Sequence, residues 1–325
     1  MATLGSLPPE LMDPILSYMD IPDWRRLGLT CRSMHAVVAP RLYKAIIFFD
    51  TLRAADSALR AAQRHGSLTR HLLLDVTFDD CFSVGCCIAT DDVTRCPYIA
   101  ANFGQGLPPS GETLLAGDLF PHLQAVTVRF RLTDRHANFY YRAPTPMPGW
   151  NRGWVFPMME DVVRAVVKAL CRNTRITKLV LLNYPPFDPL EFLETPEEVS
   201  GWKSLLGRLQ NFSVTFFRHS INHPIPANTH DAGFLDRTPA AFFDHLRSVR
   251  TLNVYHSASQ PLALRPSSSV SGSPPPVHFR RDKMPFLEEL RLSDVLLGPE
   301  LTKCLADLAT RPLRLTMSRF QATVA

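Results

Sequence analysis

The chain has 325 residues, of which 46% are apolar and 20% charged, and its formal net charge is +5. These values are close to those of soluble globular proteins and argue against a disordered chain or a coiled coil. No run of about 18 uncharged apolar residues occurs, and the N-terminus lacks the basic and apolar stretches of a signal peptide. We therefore expect a folded protein with no membrane segment, located in the cytoplasm, the nucleus or both.

The first 45 residues carry the start signals of short helices. Ser6 is suited to cap a helix that opens with Pro8 and Pro9, because a proline at the first helical turn lacks only an amide hydrogen that has no partner there. Glu10 places an acid in the same turn, which favours the helix dipole. Pro14 predicts a kink in this helix or a later start.

Two further helices are expected before Pro40. Asp20 is suited to cap the second helix, which has a proline close to its start. Gly28 and Thr30 are poor helix formers and divide the following stretch into two short helices. Pro40 is expected to end the last one. The N-terminal pattern therefore predicts a small three-helix unit.

Four ordered motifs in this unit resemble an F-box. They are Leu7-Pro8-Pro9-Glu10-Leu11, Ile15-Leu16-Ser17-Tyr18-Met19, Leu27-Gly28-Leu29-Thr30-Cys31-Arg32 and Ala39-Pro40-Arg41-Leu42-Tyr43. They are similar to the family's Leu-Pro-x-Glu opening, its Ile-Leu-x-x-Leu helix, its Val-Cys-(Lys/Arg) segment and its closing Leu-(Trp/Tyr). The sequence departs from the pattern at Pro14, and at Met34, where many family members have Trp.

The resemblance implies a non-catalytic role in a ubiquitin ligase. F-box proteins dock on the S-phase kinase-associated adaptor of SCF-type cullin-RING ligases, while the rest of the chain holds a target protein. A helical unit this small cannot bury all its apolar side chains, so a partner must cover some of them. The residues predicted to contact the adaptor are Leu7, Pro8, Leu11, Ile15, Leu16, Leu27, Leu29 and Leu42.

Beyond residue 45 the template apolar-x-x-apolar-x-apolar recurs. It is clearest at Leu123/Val126/Val128, Ile176/Leu179/Leu181, Leu209/Phe212/Val214, Val249/Leu252/Val254 and Leu287/Leu290/Leu292, and weaker at Thr69/Leu72/Leu74. The last two residues of each triplet alternate as in a strand, and helical stretches lie between them at 158–171, 238–246 and 299–308. Successive clear triplets start 53, 33, 40 and 38 residues apart, above the roughly 20–29 of regular leucine-rich repeats.

These patterns predict an α+β chain of two unequal domains. Residues 1–45 are the small three-helix F-box, and residues 46–325 are an irregular α/β solenoid that resembles degenerate leucine-rich repeats with long insertions. The solenoid is favoured because F-box proteins often carry leucine-rich repeats, and not by the periodicity alone. An ordinary α/β domain with independent strands is the alternative. The prolines, 28 in all, cluster between the triplets and mark turns and insertions.

A segment rich in aromatic and basic residues is the first candidate for target recognition. Aromatic side chains mixed with arginine are typical of interface hot spots, and the intervening prolines would hold such a loop stiff. The candidate residues are Tyr140, Tyr141, Arg142, Trp150, Arg152 and Trp154. The alternative is that these rings pack over the end or the concave face of the repeat domain.

The charges are unevenly distributed in the middle of the chain. Residues 120–181 hold ten Arg or Lys against three acids, and residues 182–200 hold five acids and no base. Adjacent surfaces of opposite sign are expected, either as a solvated face or as part of a partner site. The acids follow the basic residues too soon for a continuous nucleic-acid groove, so we do not expect nucleic acid as the partner.

No catalytic or metal-binding pattern is present in the sequence. It has no Gly-x-Ser-x-Gly elbow, phosphate loop, dinucleotide glycine motif or His-Glu-x-x-His. The closest cysteines, Cys81, Cys86, Cys87 and Cys96, match no paired zinc spacing, and the acid pairs at residues 79–80 and 91–92 are expected in exposed turns. We expect no enzyme activity, no metal and no cofactor.

The sequence therefore predicts the substrate-recognition subunit of an SCF ubiquitin ligase. Its expected partners are the adaptor, the cullin-RING ligase reached through it, and an unidentified protein target. One alternative is an F-box scaffold that acts outside protein degradation. The other is a general protein or nucleic-acid interaction module in which the N-terminal unit only resembles an F-box.

Overall fold

The computed structural model of the protein describes residues 7–77, 106–131, 155–185, 187–216, 230–256, 281–293, 296–297, 299–308, 312–318 and 321–322. Among these residues, no helix is both long and apolar enough to cross a membrane.

Three short helices form the N-terminal unit: α1 (Pro9–Ser17), α2 (Ile21–Gly28) and α3 (Arg32–Leu42). The cap at Asp20 is confirmed, because its carboxylate accepts a hydrogen bond of 2.9 Å from the amide of Asp23. α1 contains Pro14 and begins at Pro9, while the expected cap residue, Ser6, lies outside the described residues.

The expected helix end at Pro40 is wrong. α3 continues to Leu42, and the amide of Tyr43 still donates to the carbonyl of Ala39 at 2.9 Å. Pro40 removes only its own amide from the helical ladder, and the residues after it keep theirs. One missing hydrogen bond so close to the C-terminus does not stop the helix.

Eight strands form one wholly parallel sheet in which they follow one another in chain order, β1-β2-β3-β4-β5-β6-β7-β9, with β8 outside this sheet. The strands are β1 (Ala45–Phe49), β2 (His71–Thr77), β3 (Ala125–Arg131), β4 (Lys178–Tyr184), β5 (Asn211–Phe216), β6 (Thr251–His256), β7 (Glu289–Ser293) and β9 (Arg314–Ser318). A separate parallel pair joins β8 (Leu296–Leu297) to β10 (Gln321–Ala322). The six triplets of the sequence coincide with β2 to β7.

Helical segments connect most of these strands. They are α4 (Leu52–His65), α5 (Pro109–Ala116), α6 (Val155–Arg172), α7 (Pro196–Arg208), α8 (His230–Ala241) and α9 (Pro299–Leu308), with short 3₁₀ turns at Gly66–Leu68, Pro189–Phe192, Phe243–His245 and Arg281–Lys283. Helices α4 to α7 contact one another in chain order. Parallel strands joined by right-handed crossovers in one direction place their helices on one face of the sheet. The opposite face is therefore free of these helices.

The core lies between the sheet and the helices. Strand residues that point toward the helices are aligned by the register in two rows, and nearly all are buried. One row is Ile46, Leu72, Val126, Leu179, Phe212, Leu252, Leu290 and Leu315, and the next is Phe48, Leu74, Val128, Leu181, Val214, Val254, Leu292 and Met317. Only Leu315 and Met317, on the last strand, are partly exposed.

The basic and acidic blocks of the sequence meet in the helix layer. The ammonium of Lys168 on α6 lies 3.1 Å from Glu194 and 3.6 Å from Glu198, and Arg164 lies 3.6 Å from Glu194. Opposite charges that are adjacent in sequence therefore pair with each other across the α6–α7 contact.

Candidate functional site

Helix α1 carries apolar side chains on two stripes. Met12 and Leu16 are buried, at 4% and 1% exposure, against the rest of the three-helix unit. Leu11, Ile15 and Tyr18 fall at positions i, i+4 and i+7 of a second stripe, and are 55%, 38% and 92% exposed. An exposed apolar stripe of this kind is typical of a protein-interaction surface.

Polar contacts from α2 and α3 hold α1 in place. The indole of Trp24 on α2 donates a hydrogen bond of 2.9 Å to the carbonyl of Leu16. The guanidinium of Arg41 on α3 lies 2.8 Å from the carboxylate of Asp13 and packs over the Trp24 ring, 5.8 Å from its centroid. These polar contacts orient α1 without using any residue of its exposed stripe.

The eight residues predicted to contact the adaptor occupy different environments. Leu16 is a core residue of the unit, so its side chain is not available at the surface. The half-buried members are Leu7, Leu27 and Leu42, and the exposed members are Pro8, Leu11, Ile15 and Leu29. Leu29 is 87% exposed. The adaptor contacts themselves stay a prediction.

Three further exposed apolar residues of the unit were missed by the sequence reasoning: Tyr18, Ile21 and Val37. Spacing gave a usable signal for Tyr18, which lies three residues after Ile15 and seven after Leu11. We define the box surface as six large exposed apolar side chains of this unit: Leu11, Ile15, Tyr18, Ile21, Leu29 and Val37.

The six residues predicted for target recognition, Tyr140, Tyr141, Arg142, Trp150, Arg152 and Trp154, lie outside the described residues, as do the cysteines at 81–96 and the acid pairs. Within the described part of the chain, no group of three or more His, Cys, Asp or Glu is arranged to hold a metal ion.

The face of the sheet opposite the helices is a second surface, which we call the open face. Across β1 to β4 its large apolar side chains are Ile47, Phe49, Leu73, Val180 and Leu182, which we call the apolar half; Thr127, Asp75 and Arg129 lie among them. Across β5 to β9 it presents polar ones, among them Ser213, Thr215, Asn253, Arg291 and Thr316. The two halves therefore differ in the chemistry that they offer to a partner.

A buried carboxylate lies beside Phe49 toward the carboxyl ends of the strands, in the register row that also holds Arg129 and Leu182. The side chain of Asp75 is 4% exposed, and both of its oxygens accept hydrogen bonds from Arg131, one of them 2.7 Å from Nε. Arg129 lies further away, with its Nη1 3.7 Å from Asp75. The hydrogen bond with Asp75 and its charge raise the pKa of Arg131. Two guanidinium groups thus share one carboxylate.

Basic side chains also border the apolar half at the amino ends of the strands. Burial lowers the pKa of His71, and the positive charges of Lys44 and Lys178 lower it further. Neither lysine forms an ion pair with any of the residues that the structure describes. His71 is therefore favoured in its neutral form, and the two ammonium groups supply the charge at this border.

Residues 4–48 match the family model described as F-box-like. The match covers α1 to α3 and most of β1, and it confirms the resemblance found in the N-terminal motifs. No curated protein matches the chain. The N-terminal unit is thus an F-box-like domain, and domains of this family typically bind Skp-type adaptors.

Proposed function

We propose that the protein is the substrate-recognition subunit of an SCF-type cullin-RING ubiquitin ligase. The observation that carries the proposal is the coincidence of the F-box-like match with an exposed apolar stripe on α1, at Leu11, Ile15 and Tyr18. The box surface binds the Skp-type adaptor, and the sheet domain holds a target protein. The subunit works in the cytoplasm or nucleus and contributes proximity rather than chemistry.

The energetic basis of adaptor binding is burial of the box surface. Side chains that are 38% to 92% exposed have apolar area left to cover, and a few such residues usually supply most of the binding energy of an interface. Leu16 contributes indirectly, because its burial against the rest of the unit holds the exposed stripe of α1 in position.

The sheet domain is proposed to be a leucine-rich-repeat-like solenoid. A repeated backbone hydrogen bond supports this. The amide of the residue before a strand donates to the carbonyl of the equivalent residue before the preceding strand. This series runs from Arg70 to Lys44, Gln124 to Arg70, Thr177 to Gln124, Gln210 to Thr177, Arg250 to Gln210 and Glu288 to Arg250, at 2.8–3.0 Å. Equivalent backbone bonds at each step are expected when one structural unit stacks repeatedly on the next.

The spacing at the two ends of the sheet also supports a repeat. Register partners Ile46 and Leu72 are 26 residues apart, and Leu290 and Leu315 are 25 apart. Both values lie within the roughly 20–29 residues of a regular leucine-rich repeat. The longer central units are then repeats enlarged by insertions, and the open face corresponds to the concave side on which target proteins are held.

The test is co-purification of the adaptor with a Leu11→Asp/Ile15→Asp variant. Two acids in the exposed stripe should reduce adaptor affinity by about 30-fold or more, because a buried unpaired charge opposes association. The stability of the fold should change by about 1 kcal/mol or less, since both side chains are already exposed. The matched control is Leu52→Asp on α4, an equally exposed leucine outside the box.

Adaptor binding by the double variant at the wild-type level would refute the assignment of the box surface. If Leu52→Asp also lost adaptor binding, the effect would not be specific to the box surface. An intact adaptor complex that supports no ubiquitin transfer to any bound protein would favour the scaffold alternative instead.

A further inference from the structure

We infer that the apolar half of the open face binds an extended acidic segment that carries large apolar side chains, on the target protein. This inference names the target chemistry for the proposed receptor role and rests on that role. It follows from the side chains that β1 to β4 present and from the charges at their two borders.

The apolar side chains form a strip that crosses four strands. Ile47, Leu73 and Val180 share one register row, with Thr127 between the last two. In the next row Phe49 and Leu182 lie at the two ends, with Asp75 and Arg129 between them. Ile47 and Phe49 are 60% and 40% exposed, although strand residues with large apolar side chains are usually covered. Their exposure leaves apolar area for a partner to bury.

The dimensions of the strip suit an extended peptide. Ile47 and Val180 are separated by three strand spacings, which at about 4.8 Å each amount to roughly 14 Å. An extended segment rises about 3.3 Å per residue, so four to five residues cover this distance. Two side chains on the same side of the peptide then contact the strip. One lies at the end formed by Ile47 and Phe49, and the other lies at the end formed by Val180.

The positive charge beside the strip favours an acidic segment of the target protein. Lys44 and Lys178 lie at the amino ends of the strands, and Arg129 and Arg131 at the carboxyl ends. The carboxylate among them is Asp75. Even when Asp50, buried beside Thr77, is counted as well, the described residues at these positions are four cations and two carboxylates. A segment with acids flanking its apolar residues is complementary to this arrangement.

The acidic block of the chain itself is a poor occupant. Glu194 and Glu198 already pair with Lys168, and the guanidinium of Arg237 lies 3.2 Å from Asp188 and 2.6 Å from Glu191. A second copy that offered these acids would first have to break those pairs. The complementary segment is therefore expected on a different protein.

The probe is a phage-displayed library of random short peptides, selected on the full-length chain and on its complex with the adaptor. Selected peptides should combine at least two acids with two large apolar residues. One selected peptide, made synthetically with a fluorophore, is then titrated by fluorescence anisotropy. An Ile47→Ser/Phe49→Ser variant should bind it about 30-fold more weakly, because two apolar contacts are lost.

Charge reversal tests the border. Lys178→Glu should weaken peptide binding about two- to fivefold, and the effect should shrink when salt is raised from about 0.05 to 0.5 M. The matched control is Arg314→Glu, the same charge change at an exposed position on β9, beyond the apolar half. It should leave the peptide affinity within about twofold of wild type. Melting curves by circular dichroism show whether each variant is folded.

Several results would overturn the inference. Selection of neutral or basic peptides, failure to enrich any peptide, or equal binding by a folded Ile47→Ser/Phe49→Ser variant would each do so. If the wild-type chain formed a dimer in solution and the Ile47→Ser/Phe49→Ser variant did not, the strip would be the contact with a second copy of the chain. Adaptor co-purification, measured on the same variants, keeps this inference separate from the proposed receptor role: open-face variants should retain the adaptor, and the Leu11→Asp/Ile15→Asp variant should retain the peptide.

Discussion

Replacement of Asn173 is expected to destabilise the sheet domain more than any exposed substitution. Asn173 is fully buried directly after α6, and its side-chain amide donates a hydrogen bond of 2.8 Å to the carbonyl of Leu115 on α5. Its side-chain oxygen accepts from the backbone amides of Arg175 and Ile176, at 3.0 and 3.3 Å. One side chain thus joins α5 to the turn that leads into β4.

The structure sets the size of the effect. Asn173→Ala removes all three hydrogen bonds and leaves the amide of Ile176 and the carbonyl of Leu115 buried without these partners. At about 1 kcal/mol per net hydrogen bond, with a further penalty for buried groups left unpaired, the variant should lose about 3–5 kcal/mol. The control is Asn253→Ala, since the buried side-chain oxygen of Asn253 has no hydrogen-bond partner among the described residues. This substitution should cost about 1 kcal/mol or less.

A double-mutant cycle with Gly117 sharpens this prediction. Gly117 has φ of +85°, and an added Cβ would lie 2.6 Å from the side-chain nitrogen of Asn173. Gly117→Ala should therefore displace Asn173 in the wild type, but should cost only backbone strain of about 1–2 kcal/mol when residue 173 is already alanine. Urea denaturation followed by far-ultraviolet circular dichroism measures all four proteins. A loss below about 1 kcal/mol for Asn173→Ala, or strictly additive effects, would refute the reasoning.

Two further predictions concern thiol reactivity and pH. Cys31 is exposed and its pKa is lowered, first by a serine hydroxyl and then by a backbone amide, whereas burial raises the pKa of Cys171 to about 12. Peptide-resolved mass spectrometry after iodoacetamide treatment should therefore find Cys31 modified at least about tenfold faster, and equal rates would contradict the burial of Cys171. Burial lowers the pKa of His65, His71 and His245 below 6.5, so the unfolded chain binds more protons in acid, and the free energy of unfolding should fall as pH drops from about 7.5 to 5.5. His71→Asn should reduce this pH dependence, and an unchanged slope would exclude His71 as a contributor.

Much of the strand arrangement was predictable because burial on one face leaves a periodic signal. The alternation at Leu72/Leu74 and its five equivalents marks β2 to β7, and residues 299–308 coincide with α9. Helix α7 was missed although its start signal is present in the sequence. Thr195 accepts a hydrogen bond from the amide of Glu198, whose carboxylate in turn accepts one from the amide of Thr195, which is a capping box.

Other elements left a weaker signal. Helix α4 buries Ala55, Ala58 and Ala62, and alanine contributes little to an apolar pattern although it is the best helix former. The predicted helix at residues 238–246 was placed too late, because the structure has α8 (His230–Ala241) followed by a 3₁₀ turn at Phe243–His245. Asn183, at the end of β4, has a positive φ of 54°, a conformation that asparagine tolerates better than most residues.

The sequence by itself determined the F-box-like motif and the positions of strands β2 to β7 along the chain, because both depend on residues close together in the chain. Tertiary packing decided which leucines of α1 are exposed, since Leu11 and Leu16 have the same chemistry and differ only in what packs against them. Sheet register brought Ile47 into one row with Val180, and placed His71 where the charges of both Lys44 and Lys178 lower its pKa. Contacts between such distant residues depend on which strands lie side by side, whereas the local alternation fixes only the face of the sheet that each side chain takes.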